Sequence, residues 1–405
     1  MNNDVFITSG FLPVPATKGG AVETLVQNLI DENEIAKKNK FTIFSIYDKK
    51  AYEKSKMYSQ TNFLFYKPNF IIKFLDLILF FILTTILRKE KKTSYKFIVQ
   101  RLFYLNYVSK KLKKYDFHSI IVENNATLFL ALKWRKNYLK YKDRYYFHLH
   151  NDIDKLYGCK EIIENSKKIL TVSNYISSIV ISKLNYDPNR VVVFKNCIDM
   201  EKFKVKYSQQ QIDEIKMKHG LTISDKVIIF VGRTIKEKGI LEVLKAFKLA
   251  NKNNWTLMII GSSGFDINIK SDFERELFEE TQNNKKIIFT GFIPYKTLPI
   301  YYALADLAVL PSIWNEPAGL TMLEAVASGV PLITTNSGGI PEYVSNYGAT
   351  ILDVDDNLVS NIANNMEKIL SENTTLNNKL VEDCRNNFNL KKYLENFNDC
   401  ITERR

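Results

Sequence analysis

One stretch, residues 305–344, constrains the fold more than any other part of this chain. It reads ADLAVLPSIWNEPAGLTMLEAVASGVPLITTNSGGIPEYV. An apolar run (307–310) precedes a Pro-broken loop carrying Glu316, then a helix-like run (319–328) with Glu324 inside it. A second apolar run (330–335) leads into Ser337-Gly338-Gly339-Ile340-Pro341-Glu342. The order is strand, loop, helix, strand, loop, helix. In an open parallel sheet, the carboxyl ends of the strands form the edge where ligands bind. Free N–H groups and the positive dipole at each helix start suit an anion such as phosphate. Two carboxylates, Glu316 and Glu324, sit awkwardly beside an anion unless they accept hydrogen bonds from hydroxyls, as a sugar and a ribose would offer. In the plainer alternative, Glu316 complements the helix dipole and Glu324 is a solvated helix residue.

The same alternation runs through the rest of the chain. Apolar runs at 4–9, 41–47, 119–123, 145–149, 168–173 and 191–196 predict strands in the first half, with a helix over 21–37. Runs at 227–231, 257–260 and 287–290 predict three more in the second. At 405 residues the chain exceeds one ordinary core, so two domains of about 200 residues are expected. The polar stretch 202–224 reads as the linker between them. The run at 227–231 enters Gly232-Arg233-Thr234-Ile235-Lys236-Glu237-Lys238-Gly239, which brings a planar guanidinium and a mobile ammonium to a strand end before a helix. The first loop ends in Lys18-Gly19-Gly20, where adjacent glycines permit close backbone approach to a ligand or simply a flexible loop. Gly291-Phe292-Ile293-Pro294 is a place where backbone groups can read a base edge.

Charge is unevenly placed. Residues 1–200 hold 33 Lys and Arg against 18 Asp and Glu, an excess of +15, while the remaining 24 and 26 give −2. A polarised basic half implies an anionic partner: an anionic membrane, a phosphorylated substrate or nucleic acid. No helix-turn-helix, zinc-finger or RNP-like motif supports nucleic acid. Residues 70–87, FIIKFLDLILFFILTTIL, are apolar all round with only Lys73 and Asp76 charged, and basic residues crowd behind them to about residue 114. Three readings compete: a buried core helix, a membrane span, and a shallowly inserted element whose cations meet anionic headgroups. The third accounts for both the apolarity and the cations.

Four cysteines, Cys159, Cys197, Cys384 and Cys400, form no metal-ligand or CxxC pattern, so a reducing cytosol is expected. The N-terminus lacks a basic n-region and no signal peptide is read. Two of four histidines, His148 and His150, share one face at a strand end. They can serve a metal, although no third ligand is evident, or a core or capping role. Asp152-Ile153-Asp154 and Asp353-Val354-Asp355 match a DxD pattern equally well, and no metal is assigned.

Glu316-Pro317-Ala318-Gly319-Leu320 through Glu324, with Gly232-Arg233…Lys238-Gly239 upstream, closely resembles the E-x7-E region and diphosphate clamp of retaining family 4 glycosyltransferases. The resemblance covers nearly the whole chain and is strongest over 232–344. It implies a GT-B fold of two doubly wound α/β domains facing a central cleft, with 1–200 binding acceptor, 201–387 binding nucleotide sugar, and a crossover helix over about 388–405. It implies Arg233 and Lys238 on the donor pyrophosphate, Glu316 on sugar hydroxyls and Glu324 on ribose. Gly19, Gly20, Gly232, Pro317, Ala318, Gly319 and Leu320 complete the donor site, and His150 contacts the donor sugar. The chain has Cys197 in Asn196-Cys197-Ile198-Asp199, where the family usually has Gly. The implied reaction moves a hexose from a nucleotide diphosphate sugar, with retention and without a cofactor, to a hydroxyl of a lipid-linked glycan in cell-surface polysaccharide synthesis. The implied place is cytoplasmic, peripheral on the inner face of the membrane through residues 70–114. A sugar-nucleotide epimerase of the same fold and a non-catalytic nucleotide-sugar-binding partner remain alternatives.

Overall fold

Short runs of β-branched and aromatic residues, buried on both faces in the inner strands, make two parallel sheets. The computed structural model describes residues 3–87, 93–153, 155–262, 272–281 and 284–401. The chain divides into two units, Met1–Lys195 with Tyr393–Arg405, and Asn196–Lys392.

In the first unit the strands are β1 (Asn3–Ile7), β2 (Lys40–Ile46), β3 (Thr61–Tyr66), β4 (Ser119–Glu123), β5 (Tyr145–Leu149), β6 (Lys168–Thr171) and β7 (Val191–Val193). Their order is β3-β2-β1-β4-β5-β6-β7, all parallel. The winding reverses between β1 and β4, which opens a crevice at their carboxyl ends. The Leu390–Ile401 helix brings the chain back to this unit. There Phe397 stacks on Phe6 at 5.5 Å and meets Phe41 edge-on at 5.8 Å, and Tyr393 stacks on Phe194 at 4.7 Å.

The second unit holds β8 (Lys226–Val231), β9 (Trp255–Ile260), β10 (Ile287–Gly291), β11 (Leu307–Leu310), β12 (Leu332–Thr335) and β13 (Thr350–Leu352). Their order is β10-β9-β8-β11-β12-β13, again all parallel, with the reversal between β8 and β11. Each unit is thus a doubly wound α/β sheet, the class expected.

One expectation needs correction, and one competing reading falls. Residues 202–224 are not an open linker: they include a helix, Gln209–Lys218, started by a reciprocal capping box between Ser208 and Gln211. Its Lys216 is buried, with Nζ donating to the Ile223 carbonyl at 3.2 Å. Of the three readings of residues 70–87, the buried core helix is the one this structure removes. The Phe70–Phe81 helix and the π-turn Ile82–Ile86 leave Phe70, Ile71, Phe74, Leu77, Phe81 and Ile86 exposed, while Ile72 and Asp76 are buried. Among the described residues, no helix is long and apolar enough to cross a membrane. Of the cations behind it, 88–92 lie outside the described residues. The strands β3 and β13 escaped the sequence reading.

Candidate functional site

In the second unit, three loops interlock at the carboxyl edge of the sheet. The loop after β8 closes at Gly239, whose φ is +71° and whose missing Cβ leaves room for the Pro311 carbonyl; a Cβ there would lie 1.8 Å from that oxygen. Ile313 N–H donates to the Glu237 carbonyl at 3.0 Å, tying this loop to the one after β11. Gly339 N–H donates to the Glu316 carbonyl at 2.6 Å, tying that loop to the one after β12. The Ser337-Gly338-Gly339 segment therefore braces Glu316, with Gly338 at φ +60° pressed against the Asn315–Glu316 backbone. The visible work of these glycines is loop packing.

The functional side chains sit on this frame. Lys238 forms an ion pair with Glu316, and both groups are largely shielded from solvent. Ser312 Oγ lies 3.1 Å from Glu316 Oε1. Arg233 is exposed on the same loop as Lys238. Two longer helices begin at this edge on glycine, Ile240–Ala250 after Gly239 and Leu320–Ala327 after Gly319, and neither has a side-chain cap. Their first N–H groups are therefore available to an anion. Pro317 is buried, while Ala318 and Leu320 are half-buried between the two glutamates.

Glu324 is buried, which removes the reading of it as a solvated helix residue. Tyr302 Oη lies 3.1 Å from its Oε2. Burial pushes the Glu324 carboxyl up to about 7, although Tyr302 and Tyr295 favour the ionised form. Phe203 meets both tyrosine rings at 5.8 Å, so residues from the supposed linker wall in this carboxylate.

In the first unit, Gly19 and Gly20 precede the Ala21–Ala36 helix at φ +75° and +101°. A Cβ on Gly20 would lie 2.3 Å from Glu23 Oε2. Glu23 is buried and accepts from Ser9 Oγ at 2.6 Å; burial raises its pKa, and the charge of Glu123 adds to the rise. At the ends of β4 and β5, Glu123 Oε2 lies 3.1 Å from His148 Nδ1 and 3.0 Å from His150 Nε2. Burial alone would raise the Glu123 carboxyl, but His148 and His150 hold it down at about 2. Burial lowers His150 to about 4, so it is a neutral imidazole near pH 7. Its backbone N–H donates to Asn124 Oδ1 at 3.0 Å.

Glu123 is the third ligand absent from the sequence reading, since the three side chains offer ligand atoms within 4.8 Å of one another. Metal-bound imidazoles normally donate their second N–H to an acceptor, yet His148 Nε2 and His150 Nδ1 are buried without hydrogen-bond partners among the described residues. The arrangement fits a carboxylate fixing two histidine tautomers better than a metal cage. Asp154 of the first DxD lies outside the described residues. Glu23, Glu123, Ser312, Tyr295 and Tyr302 were missed; of these only Glu123 left a signal, a charge closing an otherwise apolar strand.

Residues 211–388 match the family model described as Glycosyl transferases group 1. The chain is 29% identical over 199 residues to the uncharacterized glycosyltransferase MJ1607 of Methanocaldococcus jannaschii, covering 48% of this chain and half (50%) of that protein. It is 25% identical to the putative glycosyltransferase YtcC of Bacillus subtilis, over 94% of this chain and 86% of that one. The crystal structure of Anabaena Alr3699/HepE in complex with UDP and glucose has the same fold, with a TM-score of 0.70 at 15% identity over 98% of this chain and 99% of the other.

Proposed function

We propose that this protein transfers a hexose from a nucleotide diphosphate sugar to a hydroxyl of a lipid-linked glycan, with retention at the anomeric carbon. The observation that carries the reading is the second unit's sheet edge, where Arg233 and Lys238 share a loop, Lys238 pairs with Glu316, and two uncapped helices begin. The match of residues 211–388 to the glycosyl transferases group 1 family supports it, as does the neighbour of like fold that binds UDP and glucose.

In this mechanism the second unit holds the donor. Arg233 and Lys238 neutralise charge growing on the departing diphosphate, where fixed cations favour the transition state most. The incoming phosphate competes with Glu316 for the Lys238 ammonium, which leaves the Glu316 carboxylate to accept from sugar hydroxyls. Glu324 accepts from ribose, and the first unit, which carries Gly19, Gly20 and His150, takes the acceptor. The acceptor hydroxyl attacks from the face of the leaving phosphate, whose oxygen takes the proton. The first unit docks on an anionic membrane through the exposed face of the Phe70–Phe81 helix and its basic neighbours.

The test is turnover by Arg233→Ala and Lys238→Ala. Each lowers kcat by about two orders of magnitude or more with the circular dichroism spectrum unchanged, as loss of a transition-state charge partner does. Wild-type turnover in either variant rejects the clamp, and release of an epimerised sugar nucleotide rejects transfer.

A further inference from the structure

The first unit holds a cation, Arg101, two of whose nitrogens find no hydrogen-bond partner among the described residues. Arg101 lies in the Ile98–Lys114 helix, and its Nε and Nη2 are buried without a hydrogen-bond partner. Its guanidinium carbon lies over the Phe11 ring, 5.8 Å from the centroid, and Phe11 stacks on Phe97 at 6.1 Å. Burial lowers its pKa, and the neighbours acting on its charge are the phenols of Tyr157 and Tyr104. A guanidinium keeps its proton in any protein environment. Left unpaired in a shielded place it is strongly unfavourable, so it calls for an anion.

Asp76 accepts from the backbone N–H groups of Val99 at 2.7 Å and Gln100 at 2.9 Å, capping the helix that carries Arg101. Gln100 in turn donates its side-chain amide to the Gly10 carbonyl at 3.0 Å, in the loop that leads to Gly19 and Gly20. Asp76 belongs to the Phe70–Phe81 helix, whose Phe70, Phe74 and Leu77 are exposed. Lys96 sits over the Phe80 ring of the same helix at 5.5 Å, so cations flank the apolar face. Asp76 thus ties an uncovered apolar face to the start of the helix bearing an unpaired guanidinium. The molecule complementary to both carries a hydrocarbon chain and a phosphate.

We propose that Arg101 binds the phosphate of the lipid-linked acceptor, whose chain lies in the membrane against the Phe70–Phe81 helix; the assignment rests on the transferase reading above. Arg suits this task because its fork engages two phosphate oxygens at once. With the phosphate on Arg101, the glycan beyond it extends along the loop that Gln100 holds.

The experiment measures binding of the purified chain to phosphatidylcholine vesicles doped with dodecyl phosphate, and in parallel to phosphatidylcholine–phosphatidylglycerol vesicles. Arg101→Gln weakens binding to the first by about tenfold or more, the effect of losing a charge-assisted bidentate contact, and leaves the second within about twofold. Arg101→Lys, which keeps charge without the fork, falls between. The thermal midpoint of Arg101→Gln stays at or above wild type, since an unpaired buried charge is removed. Equal binding of the alkyl phosphate by Arg101→Gln overturns the proposal, as does equal loss on both vesicle types, which would make Arg101 a general headgroup contact. A lowered midpoint with binding intact also overturns it and leaves Arg101 as packing against Phe11. Donor consumption in the presence of membrane extract as acceptor source is followed separately: if the wild type consumes no nucleotide sugar there, the transferase reading fails while the vesicle comparison still decides Arg101.

Discussion

Glu324 keeps its proton into the neutral range because it is buried beside Tyr302 and Tyr295, and this has opposite effects on stability and on binding. The ordinary value is 4.5 and the folded value about 7. The folded state therefore holds a proton that the unfolded chain releases first, and stability is full below about 4.5 and lost as pH rises toward 7, by about 3 kcal/mol. Ribose hydroxyls donate more strongly to the ionised form, so donor affinity should rise over the same interval. We expect wild-type unfolding free energy, measured in urea from pH 5 to 8, to fall with pH more steeply than in Glu324→Gln. Donor affinity by calorimetry should climb with pH in the wild type and stay weak and flat in the variant. Parallel slopes in the two proteins would remove Glu324 from the donor site. Glu324 was legible because its spacing from Glu316 fixes both to one strand-loop-helix unit, and Arg233 and Lys238 were legible in the same way. Glu123 and Arg101 were not, because their meaning lies in a cross-strand register that sets Glu123 opposite His148, and in a missing partner, neither of which chain order records.

Among elements, the loop between β8 and the Ile240–Ala250 helix is where backbone geometry matters most. Gly239 is left-handed and its Cβ position is filled by the Pro311 carbonyl. Gly220 has a nearly identical φ, +70°, but open space around it. Alanine at either position meets the left-handed penalty of about 1–2 kcal/mol, and at Gly239 it also drives the loop away from Pro311. Gly239→Ala should therefore be destabilised well beyond Gly220→Ala in urea midpoints and should lose donor binding, whereas Gly220→Ala keeps it. Equal midpoints would mean that the loop relaxes freely and that the close approach has no energetic role. Strands announced themselves as apolar runs bounded by turn residues, which is why most were readable. The Gln209–Lys218 helix was not, since its sequence is polar and its evidence is a capping box without an apolar stripe. The Phe70–Phe81 helix was readable as apolar, but composition alone could not tell a face turned inward from one turned outward.

At the scale of the whole molecule, the basic excess of residues 1–200 and the uncovered Phe70–Phe81 face belong to the same half of the chain. The twelve residues of that helix rise only about 18 Å, short of a hydrocarbon core of about 30 Å, so the face can lie in an interface but not cross it. Phe74 and Phe81 are each more than half exposed, and burying a phenylalanine side chain contributes about 1.5–3 kcal/mol. Replacing both with Ser should then weaken partition to phosphatidylglycerol vesicles by at least about tenfold, measured by flotation. The thermal midpoint should not fall, because neither ring packs in the core. Raising salt from about 0.05 to 0.5 M shortens the Debye length several-fold and should weaken the wild type too. In the double variant that salt response should persist on the residual binding, since the cations remain. If the phenylalanines are dispensable and salt alone abolishes binding, the apolar face has another occupant and attachment is purely electrostatic. If salt has no effect, the charge asymmetry of the two halves serves something other than the membrane.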